Sequence, residues 1–82
     1  MKSSEELYLV LDEVIATLDS GGFVGFANVL RHRIRTVAWT SASELFEELI
    51  RVLEAHNSEP IAAELRLKID ESIRFMKKYL AG

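Results

Sequence analysis

The residues in this 82-residue chain best suited to chemistry are two histidines, several adjacent acids and three arginines in one short segment. A general base needs an oriented partner. His32 and His56 fall on different segments, and His56 sits near a helix C-terminus, where a partly charged imidazole complements the helix dipole. Both are expected to be structural or solvent-facing. Helical bundles that bind two irons use Glu-x-x-His on two helices. This chain has no such spacing, only the reversed His56…Glu59 at a junction. The acid pairs Asp12-Glu13, Glu47-Glu48 and Asp70-Glu71 fall on outward faces. There is no cysteine, hence no disulfide and no thiolate metal site. No catalytic residue, metal or cofactor is expected.

Two further patterns read as structure. Gly21-Gly22-Phe23-Val24-Gly25 lacks a Walker Lys-Ser/Thr and a preceding strand. Gly22-x-x-Gly25 has the spacing of a KH-type clamp, but no strands accompany it. A helix C-cap is expected there instead. A helix-turn-helix would use the third helix for reading DNA, yet its outer face carries Glu44, Glu47, Glu48 and Glu54, which phosphates repel. The net charge of −3 points the same way. Nucleic acid is not expected as a partner.

The most distinctive stripe is Asn28, Arg31, His32 and Arg35, which recur at i, i+3, i+4 and i+7 on one helix face with no acid in that helix. Arg33 lies to its side. The guanidinium forks suit either an acidic protein partner or acids on neighbouring helices such as Asp12, Glu13, Glu47 and Glu48. A second feature is a set of apolar residues on outward faces: Leu9 and Ala16 on the first helix, Ala63 and Leu67 on the fourth, with Phe75 at the margin. These form the expected surface for a homodimer.

Four helices must position these groups. The first is expected over 3–19, with Ser3 and Glu6 as a capping box and Leu7, Leu11, Val14, Ile15 and Leu18 on its inner face. The glycines at 21 and 22 end it. The second runs from 22 or 23 to 38, with Phe23, Phe26, Ala27, Leu30, Ile34 and Val37 inward. Ser41 and Glu44 form another capping box and start a third helix over 42–55, with Leu45, Phe46, Leu49, Ile50, Val52 and Leu53 inward. The fourth is expected over 59–80, capped by Ser58, with Pro60 in its first turn and Ile61, Leu65, Ile69, Ile73, Met76 and Leu80 inward. No alternating strand pattern and no internal repeat occurs.

Short linkers imply an all-α, up-down four-helix bundle in one domain over 1–82, the alternative being three helices with the second and third fused. Charge follows the same order. Residues 1–19 hold one lysine against five acids, a net of −4; residues 20–43 hold three arginines and no acid, +3. Residues 44–59 net −4 and residues 60–82 net +2. In an up-down bundle every lateral neighbour then has the opposite sign. The opening MKSSEELY sets two acids where a secretory leader would carry its apolar run, and no apolar run reaches membrane length, so a cytoplasmic protein is expected. The function expected is a non-enzymatic helical protein-interaction module that self-associates. The alternative is a small acidic inhibitor of a basic enzyme, of the immunity or antitoxin type.

Overall fold

Apolar residues at three- and four-residue spacing draw the chain into helices, and a computed structural model describes all of it, Met1–Gly82. The elements are α1 (Ser4–Ser20), α2 (Val24–Arg35), α3 (Ala42–Ala55) and α4 (Ala63–Ala81). Helix accounts for 76% of the residues and there is no strand. Each helix packs on the next, and α4 closes on α1, while the backbones of the diagonal pairs α1–α3 and α2–α4 stay apart and meet only through core side chains. This is an up-down four-helix bundle measuring 34 × 24 × 21 Å. No helix is long and apolar enough to cross a membrane.

The caps explain most of the boundaries. Ser3 and Ser41 are N-caps, their hydroxyls accepting from the backbone N–H of Glu6 at 3.2 Å and of Glu44 at 3.3 Å. The return half of the first capping box goes elsewhere: the Glu6 carboxylate accepts from the N–H of Lys2, not of Ser3. After α1, Phe23 N–H donates to Leu18 C=O at 2.8 Å and Gly22 N–H to Asp19 C=O at 3.3 Å. That is a Schellman motif, and it needs the φ of +90° that Gly22 adopts without steric cost.

Two boundaries differ from the sequence expectation. Helix α2 stops at Arg35 rather than at 38, so it is not fused with α3. The Trp39 indole N–H donates to Arg33 C=O at 2.5 Å, satisfying a carbonyl that the last turn leaves free. Helix α4 begins at Ala63, and its N-cap is Ala62, not Ser58. Pro60 disfavours the helical conformation at Glu59. The chain there is held instead by Arg66, whose guanidinium donates to Glu59 C=O at 2.9 Å.

One core of 17 buried apolar residues fills the interior. Helix α1 contributes Leu7, Leu11, Val14, Ile15 and Leu18, and α3 contributes Leu45, Phe46, Leu49, Ile50, Val52 and Leu53. These are the inner faces expected from spacing. Helix α2 fully buries only Phe26, Ala27 and Leu30, and its flanking Phe23, Ile34 and Val37 are half-buried. In α4 the fully buried residues are Leu65, Ile69, Met76 and an unexpected Ser72. The Ser72 hydroxyl donates to Lys68 C=O at 2.9 Å, so its burial leaves no orphaned group. Phe46 lies at the aromatic centre. Tyr79 meets its ring edge-on at 4.9 Å, and Tyr8 and Phe75 lie at 6.4 and 6.5 Å. Burial raises the Tyr8 pKa above 10.0, and nearby Tyr79 adds to the rise. Truncating a buried phenylalanine costs about 3–5 kcal/mol. Phe46→Ala should lower the urea midpoint accordingly without changing the helical circular dichroism spectrum at zero denaturant. A loss below about 1 kcal/mol would mean that the core closes without this ring.

Candidate functional site

Three surfaces bring together the side chains with chemical potential. The first is the arginine stripe of α2, which lies along the seam with α1. Arg35 donates to the Asp12 carboxylate at 2.8 Å. Arg31 donates to Asn28 Oδ1 at 2.6 Å and reaches the Asp19 carboxylate at 3.4 Å. His32 is exposed, with Nδ1 at 3.0 Å from the Arg33 guanidinium. On the other side of α2, Arg33 approaches Glu48 of α3 at 3.8 Å. The guanidiniums of Arg31 and Arg35 thus already hold acids of a neighbouring helix, the arrangement that a structural role requires. Of the acids expected as partners of the stripe, only Asp12 serves it; Glu48 pairs instead with Arg33 and Arg51. Glu13 pairs with Lys68 of α4 at 3.1 Å, and Glu47 pairs with nothing. Asp19, at the end of α1, is a partner that the sequence pattern does not single out.

His56 is likewise engaged. It is the C-cap residue of α3, its Nδ1 lies 2.8 Å from Val52 C=O, and its ring stacks on Phe26 at 4.2 Å. The imidazole covers the core and satisfies the helix end at once. No group of three or more His, Cys, Asp or Glu is placed to hold a metal ion.

The second surface is the outer side of the α1–α4 pair. Leu9 is 69% exposed and Leu67 62% exposed, the two most exposed large apolar residues of the chain. Ala16 and Ala63 are exposed on the same two helices. The Lys68–Glu13 ion pair sets the two helices' relative level. At about 1.5 Å per residue, Leu67 and Ala16 then lie within one helical turn of the same height, with Leu9 further along the axis. Phe75 is half-buried under the rim of this surface.

The third surface escaped the sequence reading. Trp39, the only tryptophan, lines a hollow of about 280 Å³ together with Glu44, Glu47, Glu48 and Arg51. Glu48 is held between Arg33 and Arg51, forming an ion pair with each. Glu44 and Glu47 have no ion-pair partner. The signal available was a lone tryptophan just before an acidic helix start. Linear spacing does not reveal that the loop folds its ring against that helix.

No protein-family model, curated protein or solved structure matches this chain.

Exposed ion pairs contribute under about 1 kcal/mol each. Arg31→Glu with Arg35→Glu replaces two attractions with like-charge contacts across the α1–α2 seam. The double variant should lose about 1–2 kcal/mol of stability, and the loss should shrink in 1 M salt. Unfolding curves at low and high salt measure this. Unchanged stability at low salt would show that the seam does not depend on these pairs.

Proposed function

We propose that this protein is a non-enzymatic helical interaction module that self-associates through the outer side of α1 and α4. The observation that carries the reading is the exposure of Leu9 and Leu67 on two adjacent helices. Exposed leucines cost little singly, but several on one side of a small bundle favour a covering partner. The rest of the surface supports this choice by subtraction: the arginines of α2 are engaged within the chain, and both histidines contact backbone or neighbouring cations. Sedimentation velocity tests the proposal. The wild type should sediment as a dimer at high micromolar concentration, and Leu9→Glu with Leu67→Glu should yield a folded monomer. A monomeric wild type at that concentration ends the reading.

A second reading, an acidic inhibitor that covers a basic enzyme site, is favoured by one observation. Glu44 and Glu47 stand unpaired in the hollow that Trp39 also lines, and a site that combines an aromatic ring with carboxylates attracts guanidinium and ammonium groups. Because Trp39 is the only tryptophan, its emission reports on this hollow directly. Titration with deca-arginine should change that emission saturably. Glu44→Gln with Glu47→Gln should abolish the change, whereas Glu5→Gln with Glu59→Gln, which removes the same charge elsewhere, should not. Equal responses from both variants would reduce the effect to net charge.

A further inference from the structure

The outer face of α4 carries a self-complementary pattern. Glu64, Leu67, Glu71, Arg74 and Lys78 are alternately three and four residues apart, so they form one stripe, and all five are exposed. Within the chain none of the four charged members forms an ion pair, nor does the adjacent Asp70. The stripe begins acidic and ends basic. A parallel neighbour would set acid against acid. An antiparallel copy of the same helix sets acid against base, and its two-fold symmetry makes both ends match at once.

The shape agrees with the charge. Glu71, Arg74, Phe75 and Lys78, with Met1, line a hollow of about 350 Å³. Positions 71, 74, 75 and 78 are i, i+3, i+4 and i+7, the four-residue hole into which a neighbouring helix inserts a side chain. Phe75 forms an apolar wall, itself packed towards Phe46. Leu67, 62% exposed, lies on the same helix and has nothing to fill within its own chain.

We propose that a second copy of this chain docks α4 against α4, antiparallel, with Leu67 of each copy seated in the hollow bounded by Glu71, Arg74, Phe75 and Lys78 of the other. The proposal rests on the self-association reading above and names its register. Placing residue 67 opposite residues 74 and 75 puts Glu64 opposite the partner's Lys78. It also puts Asp70 within one turn of the partner's Arg74. The two Glu71 residues approach the axis, each flanked by the partner's Arg74. A single helix pair buries less than the roughly 1,200–2,000 Å² of standard interfaces, so the association is weak.

Charge exchange tests the register by equilibrium sedimentation at low ionic strength. Glu64→Lys alone and Lys78→Glu alone should each weaken the dimer about tenfold, since each reversal repeats at both ends of a symmetric interface. The double variant Glu64→Lys with Lys78→Glu should recover wild-type affinity, and so should an equimolar mixture of the two single variants. Leu67→Ala should weaken the dimer while circular dichroism stays native. A wild-type dimer indifferent to both reversals, or a double variant no better than the singles, overturns this register and leaves self-association standing. A monomeric wild type overturns both.

Discussion

Seventeen apolar side chains from all four helices share a single interior, and no helix can cover its own share alone. Helices of this length are marginal in water, so each takes its order from the others. Helix α2 shows the dependence most plainly. It has 12 residues, a glycine in its first turn and no side-chain N-cap. What holds it is contact: Phe26 against His56, the Trp39 indole on the Arg33 carbonyl, and arginines reaching acids on both neighbouring helices. The same constraint explains why the core has its aromatic centre at Phe46, on the helix whose inner face is buried most completely.

Joint burial in an up-down order also decides where the charges meet. Ion pairs cross every lateral seam: Arg31–Asp19 and Arg35–Asp12 between α1 and α2, Arg33–Glu48 between α2 and α3, Lys77–Glu54 between α3 and α4, and Lys68–Glu13 between α4 and α1. In each, the cation comes from α2 or α4 and the anion from α1 or α3. Such exposed pairs add little stability individually. Their consistent sign instead penalises arrangements that would bring α1 beside α3 or α2 beside α4, where like charges would face one another.

Once the core and its charge girdle are accounted for, little reactive surface is left over. Leu9 and Leu67 face outward without cover, Glu44 and Glu47 stand unpaired by Trp39, and the outer stripe of α4 runs from Glu64 to Lys78, opposite charges that find no partner within the chain. These remainders are apolar knobs, a rimmed hollow and separated charge.

The bounds of α1 and α3, both serine caps, the inner faces and the outward setting of Leu9, Ala16, Ala63 and Leu67 were legible in the chain, because spacing and capping act within a few residues. The alternation of charge was legible too, and with it the lateral order of the helices. Other features depend on groups that meet only through space. Helix α2 ends where the Trp39 ring returns to the Arg33 carbonyl, and α4 starts late because Arg66 secures the Glu59 carbonyl beside Pro60. Ser72 is buried because its hydroxyl has a carbonyl one turn back, which spacing alone does not require it to use. The arginine stripe was visible as a stripe, but whether its guanidiniums were free or engaged depended on how α1 lay against α2. Only the packed bundle brings Asp12 and Asp19 within reach and so turns a candidate docking face into a seam between helices.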